Sequence, residues 1–284
     1  MSCRDCFSGT LHSGTPKGST TRLHGLNTYV AEPPSADSPL KGIVVVIPDL
    51  FGWETPNSRC LADEYARKGN FRVYLPDFMD GHACSAHVQP MMEKLMDAGL
   101  WANIMKIYYL PVTLYHALPS LIRTRTSISH PRVVAFLSAL RENEASALPV
   151  GAAGFCWGGK HVALLTRDSV KAANGLSLID AGFTGHPSQL KLPEDMELVK
   201  LPLSVAVGPE DMALGKENLA IMQTVLSKKV EVETEVVVYD GAKHGFCIRG
   251  DPTDEKQNKQ GHEAEDQAVA WFGRWFAQWR GLSQ

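Results

Sequence analysis

The chain reads as an α/β protein, a three-layer sandwich of helices packed on both faces of one mostly parallel sheet, and three features predict it. Short apolar runs recur along the chain: GIVVVI (42–47), FRVYL (71–75), PVGAAGF (149–155), GLSLID (175–180), LPLSVAV (201–207) and VETEVVVY (232–239). Amphipathic stretches lie between them, and strands that alternate with helices pair in parallel because each helix returns the chain to the same starting edge. The run from Ile43 to Ile47 carries no polar residue, as a strand covered on both faces requires.

In chain order, residues 1–20 are rich in Gly, Ser, Thr and Cys without periodicity and read as a loosely held lead-in. Residues 21–284 read as a single domain, since one large sheet accommodates that length. After the first apolar strand, Thr55 and Pro56 supply an N-cap and a first helical residue, Leu61 and Tyr65 share a face, and Gly69 closes the helix. Residues 82–130 are too long for a plain crossover and are broken by prolines, so they read as a helical excursion over the carboxyl edge of the sheet. Met91, Met92, Leu95, Met96, Leu100, Trp101, Ile104, Tyr108 and Tyr109 fall at helical spacings there, as either a pocket lining or core. Lys106, Pro111, His116 and Pro119 interrupt 99–122 well short of the roughly 18 apolar residues of a membrane span, so no membrane partner is expected. Ala268, Trp271, Phe272, Trp275, Phe276 and Trp279 mark the apolar face of a last helix packed on the sheet.

Composition bounds the function. Hydrophobic residues make up 44% and charged residues 21%, which excludes a disordered chain. The net charge is -3 and there is no dense Lys/Arg run, so nucleic acid is not an expected partner. Six scattered cysteines suit a reducing compartment better than a disulfide framework, and with no targeting signal at either end the expectation is cytoplasmic. Cys3 and Cys6 lack a second pair at zinc spacing, and His82 and His87 are isolated, so no metal is expected.

The most informative stretch is Gly154-Phe155-Cys156-Trp157-Gly158-Gly159, directly after an apolar strand and directly before the helical pattern 160–166. A nucleophile elbow turns so sharply from strand to helix that its central residue is strained and its neighbours must be tiny. The elbow also sets Cys156 at a helix N-terminus, where free N–H groups and the helix dipole favour a thiolate. The alternative, a buried cysteine in a phosphate-binding helix start, lacks the Lys-Ser/Thr pair of such loops. Strand 201–207 runs into Gly208-Pro209-Glu210-Asp211, and strand 232–239 into a loop holding His244, so in a parallel sheet both emerge on the edge that carries Cys156. Asp211 is the expected acid and His244 the base; Glu210, nearer the strand, and Asp240, in the histidine's own loop, are the rivals. Strand 42–47 ends on the same edge. Its loop offers the N–H of Leu50, paired with that of Trp157, as an oxyanion hole, and Asp49 as a resting contact for the thiol or the imidazole. Trp53 and Phe246, in the same two loops as Asp49 and His244, are candidate substrate contacts.

PDLFG at 48–52, GFCWGGK at 154–160, Asp211 and HGF at 244–246 together resemble the dienelactone hydrolase family of cysteine-dependent α/β-hydrolases, over roughly residues 25–280. The resemblance implies an α/β-hydrolase sheet, no metal or other cofactor, and hydrolysis of a small-molecule lactone or carboxylic ester through an acyl-thioenzyme. In that scheme Cys156 is the nucleophile, His244 the base and Asp211 its orienter. Where the family archetype has a glutamate touching the cysteine, this chain has Asp49. Of the archetype's two carboxylate-binding arginines, one matches Arg249, displaced by one residue, and the other aligns with Gly81. Fewer cationic anchors and the apolar excursion point to a larger, less charged substrate than dienelactone. A cyclase or acyltransferase of specialised metabolism would use the same triad, and a non-catalytic binding protein is the third reading. Monomer and homodimer are both compatible with the sequence.

Overall fold

The computed structural model describes residues 14–34, 38–85, 99–251 and 253–279. Eight strands form one sheet: β1 (Ser19–Leu23), β2 (Leu26–Ala31), β3 (Ile43–Ile47), β4 (Arg72–Pro76), β5 (Val150–Phe155), β6 (Ala181–Gly185), β7 (Leu203–Val207) and β8 (Thr234–Val238), in the spatial order β1-β2-β4-β3-β5-β6-β7-β8. β1 and β2 pair antiparallel, β2 meets β4 antiparallel, and every later pair is parallel. The mostly parallel sheet is the one the sequence predicts.

The predicted burial of β3 on both faces has a simple expression. Ile43, Val45 and Ile47 join one core cluster with Phe136, Leu137, Val162 and Met222, while Val44 and Val46 join a second with Leu61, Tyr65, Ala268 and Phe272. Side chains alternate across a strand, so the two sets face opposite layers. The second layer is built by α1 (Pro56–Gly69) and the long C-terminal helix (Glu255–Gln278), whose Ala268, Trp271, Phe272 and Phe276 are buried as the aromatic stripe predicts. Gly69 is the last helical residue of α1, and the left-handed turn that ends it falls on Asn70, with φ 55°.

Three differences from the sequence reading are informative. Segment 175–180 is not a strand; the strand is the next five residues, Ala181-Gly-Phe-Thr-Gly185. Leu178 and Ile179 are buried, but the Asp180 carboxylate accepts from Val150 N–H at 2.7 Å and Arg141 at 2.5 Å, pinning the chain just ahead of the ladder. The strand is glycine-rich because a Cβ on Gly182 would press on Val162 and Thr166, and one on Gly185 on Phe155 and Cys247. The β1–β2 hairpin, turned by His24 and Gly25 at φ 45° and 84°, was not anticipated, and β1 takes in Ser19 and Thr20 from the end of the predicted lead-in.

The third concerns the excursion. Helix α2 (Leu100–Arg123) turns Trp101, Ile107 and Tyr115 outward at 79%, 78% and 78% exposure, while Thr113 and Ser120 are buried. Trp101, Ile104 and Tyr108 are therefore not core; Met91, Met92, Leu95 and Met96 lie outside the described residues. α3 (Thr126–Glu142) then returns the chain to β5. Among the described residues no helix is long and apolar enough to cross a membrane.

Candidate active site

The elbow is built by contacts that exclude side chains. Cys156 has φ 51° and ψ −110°, a left-handed conformation that a β-carbon makes costly, and α4 (Trp157–Leu165) starts at the next residue. A Cβ on Gly154 would collide with the Gly158 carbonyl, and one on Gly158 with the Ile47 carbonyl. The second clash shows that the elbow sits directly on the end of β3, against Ile47 and Pro48. Trp157 has no intrahelical acceptor for its N–H at this first helical position, and its indole Nε1 donates to the Thr124 carbonyl at 2.9 Å, tying the elbow to the end of α2.

The acid and the imidazole meet across the ends of β7 and β8. A Cβ on Gly208 would run into the Ala242 carbonyl, so the two loops touch backbone to backbone. His244 Nδ1 lies 2.9 Å and 3.0 Å from the two oxygens of Asp211, both side chains fully buried. Asp211 is itself held by accepting from Ala213 N–H at 2.8 Å and Leu214 N–H at 3.4 Å. The rival acids point elsewhere: Glu210 is 53% exposed and 3.5 Å from Lys216, and Asp240 is 98% exposed and 3.6 Å from Lys256.

Burial alone would lower the pKa of His244. The Cys156 sulfur, as charge and as hydrogen-bond partner, and the Asp211 carboxylate outweigh it and hold the imidazole well above its ordinary range. With Nδ1 taken by Asp211, Nε2 is the ring nitrogen left for Cys156, whose sulfur is near enough to act on the imidazole electrostatically. Cys156 and His244 are each only 3% exposed.

The remaining predicted residues divide. Asp49 is buried and spends its oxygens on Phe51 N–H at 3.0 Å and Arg249 Nε at 2.8 Å, although the Cys156 sulfur is near enough to act on it electrostatically. Burial pushes its carboxyl above the usual range, and Arg249 opposes that push. Arg249 is thus partnered by Asp49 and stacked over the Phe51 ring. Trp53 packs beneath Arg59, in the core layer of α1. Phe246 lines a cavity of about 250 Å³ with Cys60, Cys247, Ile248 and Glu265, a space that Cys156, His244 and Asp211 do not line.

Two residues beside Cys156 and His244 escaped the sequence reading. The His186 ring stands edge to face with His244, centroids 4.9 Å apart, and Ser188 Oγ is 3.6 Å from Cys156 Sγ. Both follow β6, whose end was hidden by the misplaced strand at 175–180. Among the described residues no three His, Cys, Asp or Glu side chains gather as a metal site; Cys3, Cys6 and His87 lie outside them.

Comparison with known proteins shows the family. The family model described as dienelactone hydrolase matches residues 26–278. The chain is 28% identical over 270 residues to hydrolase tropI of Talaromyces stipitatus, covering 95% of each. It is 24% identical over 206 residues to the human carboxymethylenebutenolidase homolog, covering 72% of this chain and 71% of the relative. Among solved structures, the dienelactone hydrolase of Anabaena variabilis superposes with a TM-score of 0.57 at 16% identity, over 94% of this chain and 99% of the other, a likeness of fold.

Proposed function

Since the chain belongs to the dienelactone hydrolase family and is an ester or lactone hydrolase, we propose that it works through an acyl-thioenzyme on Cys156, with His244 as base and Asp211 as its orienter. The observation that carries this reading is the convergence at one sheet edge of a cysteine strained to φ 51° and an imidazole bonded at 2.9 Å to a buried carboxylate.

Cys156 Sγ attacks the carbonyl carbon while its proton resides on His244 Nε2. The carbonyl π electrons move onto oxygen, where the backbone N–H groups of Leu50 and Trp157 receive the negative charge. Collapse of the tetrahedral adduct breaks the C–O bond, and His244 returns the proton to the leaving alkoxide, which in a lactone stays tethered to the acyl group. Water, deprotonated by His244, then attacks the thioester carbon; the C–S bond breaks, the carboxylic acid leaves and the thiol is restored. Asp211 keeps the proton-bearing Nδ1 turned away from the sulfur throughout.

Two features support a weakly charged substrate: Arg249 is already neutralised by Asp49 at 2.8 Å, and Gly81 offers no side chain where the archetype has an arginine. The test sets dienelactone beside a series of aryl esters and uncharged lactones, with mass spectrometry of the quenched enzyme. A higher kcat/KM for the uncharged compounds and an acyl adduct on Cys156 are expected. Hydrolysis with no adduct on Cys156, and full activity in Cys156→Ala, would remove the proposed mechanism.

A further inference from the structure

The turn that follows β6, His186-Pro187-Ser188, is built against both partners of the proposed reaction. Cys156 N–H donates to the Gly185 carbonyl at 3.2 Å, and Ser188 N–H donates to the Cys156 carbonyl at 3.0 Å, so the strained residue is clamped on both of its peptide sides by this one segment. His186 N–H anchors the segment to Ala206 of β7 at 2.8 Å. Pro187 presses on α4 so closely that a Cβ on Gly159 would come within 2.7 Å of it. The backbone is thereby fixed in register with the nucleophile before any side chain is considered.

That register delivers the Ser188 hydroxyl to 3.6 Å from Cys156 Sγ, within hydrogen-bond reach of a sulfur acceptor. Ser188 is 7% exposed, and among the described residues the sulfur is the partner of its hydroxyl. A serine or threonine that braces a loop commonly bonds to nearby backbone, as Thr124 Oγ1 does to Ser120 and Ser227 Oγ to Thr224. The Ser188 hydroxyl instead meets the Cys156 sulfur.

We propose that Ser188 is a catalytic residue that donates its hydroxyl hydrogen to the Cys156 sulfur and stabilises the thiolate form. The role rests on Cys156 being the nucleophile. A hydrogen bond to the charged form of an acid favours that form, so Ser188 extends Cys156 reactivity to lower pH. When the sulfur becomes acylated it loses its negative charge and the bond weakens, so Ser188 stabilises the thiolate more than the thioester. Its removal therefore lowers the supply of thiolate and leaves substrate binding alone.

The test measures the pH dependence of Cys156 alkylation by iodoacetamide, followed by peptide mass spectrometry in wild type, Ser188→Ala and Ser188→Thr. This readout needs no substrate. Ser188→Ala is expected to move the alkylation midpoint upward by about one pH unit, and to lower kcat/KM roughly tenfold below the midpoint with KM unchanged; the hydroxyl of Ser188→Thr restores most of both. Thermal melting of each variant shows whether it folds. An alkylation profile in folded Ser188→Ala that superposes on wild type overturns the proposal. Failure of the nucleophile assignment itself shows separately, as activity that survives Cys156→Ala.

Discussion

Replacing Asp211 with asparagine probes the proposed mechanism at the point where geometry and charge are tightest. In wild type, Oδ1 accepts from Ala213 N–H at 2.8 Å and lies 2.9 Å from His244 Nδ1, while Oδ2 adds a second contact to the same nitrogen at 3.0 Å. Asparagine has one oxygen. If it keeps the Ala213 bond, the amide nitrogen takes the Oδ2 place 3.0 Å from Nδ1, where its hydrogens oppose the ring N–H; the Nδ1–H tautomer loses its support and the ring proton shifts toward Nε2, where a base is needed. The variant keeps its volume and its backbone anchor, so the fold survives while the tautomer is wrong. A loss of 10²–10⁴ in kcat/KM, about 3–5 kcal/mol of transition-state stabilisation, is expected for an aryl acetate followed by absorbance. The pH profile carries an independent sign. The carboxylate is one of the influences that raise the His244 pKa, so its loss lets the imidazole deprotonate at lower pH and the alkaline limb moves down. Glu210→Gln and Asp240→Asn, at exposed positions paired only with lysines, are expected to stay within about twofold of wild type, as surface pairs contribute little. An Asp211→Asn enzyme within threefold of wild type, alongside a crippled Asp240→Asn or Glu210→Gln, refutes the assignment of the acid.

Other consequences are open to direct measurement. Cys156→Ala is expected to lose several orders of magnitude in turnover with its melting temperature retained, whereas Cys60→Ala and Cys84→Ala keep their activity; under a small alkylator the first mass shift falls on Cys156. Arg249→Ala strands the Asp49 carboxylate in the interior, and a loss of about 3–5 kcal/mol in chemical denaturation is expected, most of it recovered in the double variant Asp49→Asn, Arg249→Met. The stacked pair His130 and His161 makes the fold acid-sensitive. Burial and the neighbouring cations lower these rings to about 4 and about 3, whereas in the unfolded chain each protonates near 6.5. The unfolded state thus binds more protons below pH 6.5, and stability is lost as pH falls toward 4, by up to ~1.4 kcal/mol per pH unit for each ring. His161→Gln should flatten that dependence, and an unchanged slope between pH 7 and 4.5 would contradict it.

How much of this was legible in the sequence follows from the range of the forces involved. The elbow at Cys156 was readable because its constraint is local: a turn that admits no Cβ at Gly154 or Gly158 writes glycines into adjacent positions. Asp211 and His244 were readable through topology, because parallel strands bring loops far apart in sequence to one edge. The pairing of Asp49 with Arg249 across 200 residues left no such trace; both were named, but as contacts for the sulfur and the substrate and not for each other. β6 was misplaced because local hydrophobicity favours GLSLID over AGFTG, and only the packing of Val162, Thr166 and Phe155 on its glycines selects the latter. That single displacement hid a regularity. Asp49, Cys156, Ser188, Asp211 and His244 stand two, one, three, four and six residues beyond the ends of β3, β5, β6, β7 and β8. Each parallel strand from β3 through β8, apart from β4, thus brings to this cluster a polar side chain from within six residues of its carboxyl end, and β6 brings two, His186 and Ser188. With β6 correctly bounded, the same rule that brings Asp211 and His244 to this edge also brings His186 and Ser188, and packing then sets the Ser188 hydroxyl at the sulfur.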